Sequence, residues 1–304
     1  MTGRSSSPGG RFVGDGFVGD NAAVSTQVPP VTHYENFPVA SWLCPPRLRP
    51  AVAALYHYAR TADDLADEGQ ATAEARLQDL RAYRADLRAA AGGQPHSGRW
   101  PQVFDPLAAV LPAYGLPLRL LEDLLDAFEQ DVRKTAAGSG YADRAELLDY
   151  CRRSANPIGR LLLHLYGVRD EAALHESDAI CSALQLINFW QDLGRDLPRG
   201  RCYLPQTDCA AAGVSLADLL AGQATPAIRH LLALEVRWAR DLMAAGAPLA
   251  HRLRGRIGWE LRLVVQGGLR ILDKIEAQRY DTLSRRPVIT PGDAPLLLWR
   301  ALRM

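Results

Sequence analysis

Along most of the chain, apolar residues return every third or fourth position, and stretches alternating every second position are almost absent. That period predicts helices over roughly 47–68, 73–91, 117–135, 144–166, 170–197, 227–245 and 255–283, with shorter ones between them. Gly/Pro clusters mark the expected breaks: Gly92-Gly93, Pro112, Gly138 to Gly140, Pro198 to Gly200 and Gly246 to Pro248. Residues 1–30 lack the period, are rich in Gly and Ser and carry Pro29-Pro30, which predicts a flexible tail. No repeat of solenoid length and no later linker divides the rest. The expectation is one all-α domain over 31–304.

Composition narrows what such a domain does. With 304 residues, 48% of them hydrophobic, the chain is long and apolar enough to bury a large core. Its 35 Lys+Arg against 34 Asp+Glu leave a net charge of +1, which speaks against nucleic acid as a partner and against disorder. The longest apolar stretch, Ile257 to Leu272, is interrupted by Glu260, Arg262, Gln266 and Arg270, so no membrane span is expected. Five cysteines without CxxC spacing read as reduced thiols. With no apolar leader near Met1, a cytoplasmic location is expected.

Two polar patterns stand out against this background. In Arg60-Thr61-Ala62-Asp63-Asp64-Leu65-Ala66-Asp67-Glu68, Asp63 and Asp67 share one helical face. Acids at a helix C-terminus are opposed by the macrodipole and by one another, a cost that a hard divalent cation such as Mg²⁺ offsets. A solvated acidic helix end is the competing account of this motif taken alone. In the second pattern, Asn188, Asp192 and Asp196 recur at i, i+4 and i+8 among Leu184, Leu186, Ile187, Phe189 and Trp190. Buried carboxylates need a cation or hydrogen-bond partners, and the competing account here is an ion pair with an arginine from another helix. Two such stripes facing each other would hold a cluster of Mg²⁺ ions and clamp a diphosphate, with Arg60 and Arg201 beside them as phosphate ligands. A di-iron or metal-storage bundle would need Glu-x-x-His pairs beside the stripes, and none is there.

These residues resemble the squalene/phytoene synthases over about His33 to Arg286. The carriers are Asp63-Asp64-Leu65-Ala66-Asp67 preceded by Leu55-Tyr56 and Arg60, then Tyr150-Cys151 with Gly159. They continue with Asn188-x-x-Gln191-Asp192-x-x-x-Asp196 followed by Gly200-Arg201-Cys202-Tyr203-Leu204-Pro205, and end with Ile271 to Glu276, Tyr280-Asp281 and Arg285. The resemblance implies a type I isoprenoid synthase bundle around a central cavity and a Mg²⁺-dependent carbon–oxygen lyase acting on a prenyl diphosphate. His33 to Ser41, Ser154 to Arg160 and Phe189-Trp190-Gln191 are most similar to the hopanoid-pathway branch. That branch ionises presqualene diphosphate and quenches the cation with water, without NADPH. A sister head-to-head synthase would use the same metal residues, and a non-catalytic scaffold on the same fold would have lost them.

Carried over by position, the resemblance assigns Asp63, Asp64, Asp67, Asn188, Asp192 and Asp196 to metal. It assigns Arg60, Arg201, Arg285 and Asn36 to the diphosphate, and Tyr56, Tyr150 and Tyr203 to the reacting cation. Phe37, Gln185, Phe189 and Gly268 would line the cavity. Two departures stand out. Tyr34-Glu35-Asn36-Phe37 occupies the place of a Ser-x-Ser-Phe segment, and Gly268 stands where carotenoid-type members carry a tyrosine, which suggests room for the quenching water. The C-terminal Pro295 to Arg303 mixes Leu, Trp and Arg; it suits a membrane surface, and a helix docked back on the domain more so.

Overall fold

A computed structural model describes residues 44–304, so the expected tail, His33 and the Tyr34 to Phe37 segment lie outside the described residues. Among the described residues, thirteen α-helices follow in order: α1 Arg49–Asp67, α2 Ala73–Ala91, α3 Pro101–Tyr114, α4 Leu118–Ala137, α5 Arg144–Ser154, α6 Asn156–Leu165, α7 Glu171–Asp196, α8 Gln206–Ala211, α9 Leu216–Leu220, α10 Pro226–Gly246, α11 Leu249–Arg252, α12 Gly255–Ala277 and α13 Ala294–Arg303. No strand occurs among the described residues, and a single isolated bridge joins Tyr141 to Pro205. The all-α expectation holds.

Side chains rather than glycines set several boundaries. Thr72, Asp143, Asp170 and Thr225 each accept a bond from a first-turn N–H and so start α2, α5, α7 and α10. The segment expected to be one helix over 144–166 is two. The chain kinks at Ala155, because Pro157 in the first turn of α6 has no N–H with which to continue α5. Conversely, Pro112, expected to be a break, lies inside α3 close to its end, where only one intrahelical bond is lost. The last long helix stops at Ala277 rather than near 283: Arg279 and Tyr280 adopt left-handed backbone, and Arg229 donates to the Arg279 carbonyl.

Apolar faces assemble into two cores. The first gathers α1 to α4 around Tyr58, Tyr83, Phe104, Leu107 and Leu121. Its buried phenols are satisfied: Tyr58 donates to the Leu121 carbonyl and Tyr83 to that of Tyr58, each at 3.0 Å. The second surrounds α7, whose Leu186, Ile187, Trp190 and Leu193 are enclosed by α5, α6, α10 and α12. Each such aliphatic side chain withdrawn from water stabilises the fold by about 1.5–3 kcal/mol. Helices α4 and α6 contribute to both cores, and the main cavity opens along the seam between them.

The C-terminal helix α13 docks on α12 through Ala301 and an Arg300–Asp273 ion pair of 2.6 Å, as expected. Leu298, Trp299 and Leu302 on its other side are exposed. No helix among the described residues is long and apolar enough to cross a membrane.

Candidate active site

The seam cavity has a volume of about 1080 Å³, just above the roughly 300–1,000 Å³ usual for small-molecule sites. One face of α1 lines it through Val52, Tyr56, Arg60, Asp63 and Asp67, so a stripe of i, i+3 and i+4 steps runs from apolar to acidic. One face of α7 does the same through Cys181, Gln185, Asn188, Asp192 and Asp196. Both acidic stripes therefore meet at one end of the cavity. The body is apolar and mostly aliphatic, with Leu55, Phe128, Ile158, Leu162, Leu184 and Val264 in its wall.

Arginines enter among the acids. Arg201, in the segment leaving α7, reaches across to Asp67 at 2.7 Å and ties the second motif to the first. Arg60 holds Asp64 at 2.6 Å and Asp63 at 3.2 Å. Arg286 grips Asp192 with two nitrogens, Nη2 to Oδ2 being 3.0 Å. The ion-pair account of the acids is thus realised in part: two of its partners, Arg60 and Arg201, are arginines expected beside a diphosphate, and the third, Arg286, was not expected.

Three assignments change. Arg286, not Arg285, lines the cavity, while Arg285 is exposed. Asp64 lies beside the wall, turned to Arg60, because it sits about 100° around α1 from Asp63. Gly268 is not in the wall. A Cβ there would stand 2.9 Å from Met243 Cε and 3.0 Å from Leu184 Cδ2, so it is the contact point between α12 and its neighbours α7 and α10. A side chain at 268 would first meet these side-chain tips, of which Leu184 belongs to the cavity wall, so the position acts on the cavity only through its neighbours. Gln185, Phe189, Tyr56, Tyr150 and Tyr203 do line the cavity; Asn36 and Phe37 lie outside the described residues.

The sequence reading missed Asp131. It continues the Leu124–Phe128 stripe of α4 into the cavity wall, and a carboxylate extending an apolar i, i+4, i+7 pattern was the available signal. It accepts hydrogen bonds from three phenols: Tyr150 at 2.6 Å, Tyr203 at 3.1 Å and Tyr141 at 3.3 Å. Phe189 stacks on Tyr203 with ring centroids 3.7 Å apart, completing an aromatic wall next to the acids.

The electrostatics show an acid cluster short of positive charge. Burial, with Asp67 adding repulsion, pushes Asp63 up to about 7. Burial, opposed by Arg201 and reinforced by Asp192, pushes Asp196 up to about 6. Folded-state values above the unfolded ones mean that these groups favour folding at low pH and lose that contribution as pH rises from about 4 to about 7. Asp63→Asn is therefore expected to gain thermal stability relative to the unaltered chain across that window when divalent cations are absent. With Asp63 and Asp196 as cation ligands, binding would need both ionised, so the Mg²⁺ concentration giving half the maximal thermal shift should rise as pH falls below about 7. Thermal melts at pH 5.5 and 8 with and without MgCl₂ check both; a Mg²⁺ response independent of pH would remove Asp63 from the ligand set.

Similarity to known proteins agrees with this geometry. The squalene/phytoene synthase family profile matches residues 31–293. A hydroxysqualene synthase of Rhodopseudomonas palustris is 36% identical over 260 residues, covering 84% of each chain. One from Sinorhizobium fredii is 31% identical, again with 84% of each chain covered. Among solved structures, the squalene synthase HpnC of Alicyclobacillus acidocaldarius superposes with a TM-score of 0.74 at 37% identity, over 82% of this chain and 90% of that one. Two acid-bearing helices opening onto one apolar cavity, in a chain matched over nearly all its described length, lead to one conclusion: the protein belongs to the squalene/phytoene synthase family.

Proposed function

We propose that the protein is a hydroxysqualene synthase, converting presqualene diphosphate and water to hydroxysqualene and diphosphate. One observation carries the reaction class: a single cavity has both acidic stripes and their arginines at one end and an aliphatic body behind them. The choice of substrate within the family rests on similarity to relatives of that name.

The donor set suits magnesium. Asp63, Asp67, Asn188, Asp192 and Asp196 offer only hard oxygen ligands, and burial with like-charge neighbours raises Asp63 and Asp196, a cost that a bound cation would relieve. Among the described residues, no three His, Cys, Asp or Glu side chains form a ready-made metal centre, so diphosphate oxygens would complete the coordination. Bound magnesium neutralises the diphosphate and makes it a leaving group. Arg60, Arg201 and Arg286 hold its oxygens by exchanging carboxylate for phosphate partners. The aliphatic wall keeps bulk water from the cation, and the faces of Tyr150, Tyr203 and Phe189 stabilise its charge. No NADPH enters this scheme.

The test is a product assay with MgCl₂, run on presqualene diphosphate and on farnesyl diphosphate, each with and without NADPH, with mass spectrometry of the C30 products. A C30 alcohol from presqualene diphosphate, unchanged by NADPH, is the expected result. Farnesyl diphosphate turned over to presqualene diphosphate, or squalene appearing only with NADPH, would assign a sister reaction. Failure to release diphosphate from either substrate would favour the scaffold.

A further inference from the structure

Water quenching leaves a proton to be disposed of, and the wall of the cavity contains a group arranged to take it. A phenol has one proton to give. Tyr150 and Tyr203 both line the cavity and both commit theirs to Asp131 Oδ2, so their oxygens have only lone pairs left to offer a water. A water beside them must donate to the phenolic oxygen, which turns its own lone pair outward, toward the cavity interior. We infer that Asp131 is a positioning residue which, through Tyr150 and Tyr203, orients the quenching water and receives its surplus proton. The inference rests on the functional reading above.

The step balances. The water oxygen forms the new C–O bond with the carbocation. One water proton passes to the phenolic oxygen as that phenol's proton passes to Asp131, leaving an alcohol, a neutral tyrosine and a protonated carboxyl. Geometry favours the transfer. The Tyr150–Asp131 bond of 2.6 Å is short, as charge-assisted bonds are, and Tyr141 at 3.3 Å holds the other carboxylate oxygen in place. Burial raises the proton affinity of Asp131, partly offset by the phenols and by Arg201. The position fits as well: Asp131 projects from α4 between the acidic end, where diphosphate departs, and Phe128 at the start of the aliphatic body. Released diphosphate is the rival acceptor.

The test is single turnover of presqualene diphosphate with MgCl₂, following diphosphate release and the C30 products separately. In Asp131→Asn, release should slow by no more than about tenfold, while the alcohol share of the products falls at least fivefold in favour of hydrocarbons formed by proton loss. Tyr150→Phe/Tyr203→Phe should shift the share the same way, and keeps the test decisive if Asp131→Asn does not fold. An alcohol share equal to that of the unaltered enzyme overturns the inference and leaves diphosphate as the base. Equal losses of release and alcohol overturn it too, because they place Asp131 in ionisation or in the fold. An unaltered enzyme that leaves presqualene diphosphate intact sinks the functional reading together with the relay.

Discussion

Replacing Asp192 by asparagine should lower the rate of diphosphate release from presqualene diphosphate by roughly 10³-fold, with little change in thermal stability. The substitution keeps shape and removes one negative charge from the α7 stripe at the point that Arg286 also grips. A cation cluster that stabilises a departing diphosphate supplies several kcal/mol, and about 4 kcal/mol corresponds to the 10³-fold loss. Excess MgCl₂ should not restore the rate, because Arg286 loses its carboxylate and competes for the same space. Asp67→Asn, on the facing helix and paired with Arg201, should behave alike. Measured release within tenfold of the unaltered enzyme would mean that the α7 acids serve the fold rather than the reaction.

The second large effect is expected at a residue that touches no ligand. A methyl group on Gly194 would lie 2.3 Å from the carbonyl oxygen of Leu283 and 3.0 Å from that of Thr282. Both are backbone atoms, so the chain leaving α12 would have to lift off α7. That same stretch carries Arg286, and it is tied to α7 a turn earlier by Gln191, which donates to the Pro287 carbonyl at 2.6 Å. Gly194→Ala is therefore expected to cost about 2–3 kcal/mol of stability, the upper range for overpacking. It should also reduce turnover roughly 100-fold, as misplacing a ligand by an ångström does. Gly292→Ala, whose methyl meets nothing nearer than Thr290 Oγ1 at 3.7 Å, is the control and should be neutral in both. Matching melting temperatures for the two variants would refute the close-crossing argument.

How legible this was in the sequence varies with the physics involved. The acidic stripes were readable because four-residue spacing on a helix fixes a common face whatever the tertiary contacts, and both stripes line the cavity. The long helices were readable for the same reason. Position 286 was not, because two adjacent arginines in an irregular stretch carry no period to say which turns inward. The break at Ala155 was hidden because Pro157 is tolerated at a helix start and so does not by itself say that another helix has just ended. Asp131 was concealed by company: Asp126 and Glu129 on the same helix are structural acids bonded to Arg84, and only its step from Leu124 and Phe128 separates them from the one that faces the cavity. Gly268 was misread because its partners, Met243, Leu184 and Ile187, come from two other helices.

The arginines seated on the acids of the ligand-free protein have a consequence for the order of events. Asp67 and Asp192 already carry internal counter-ions in Arg201 and Arg286. A divalent ion arriving alone would have to displace the arginines from these carboxylates. A diphosphate arriving with the ion takes the arginines as it surrenders the carboxylates. The two ligands would thus raise each other's affinity, and by thermodynamic reciprocity each by the same factor. Once the hydrocarbon had lost its diphosphate, departure of either the ion or the anion would loosen the other, so the site would empty as a unit and return to the arginine-paired state in which it began.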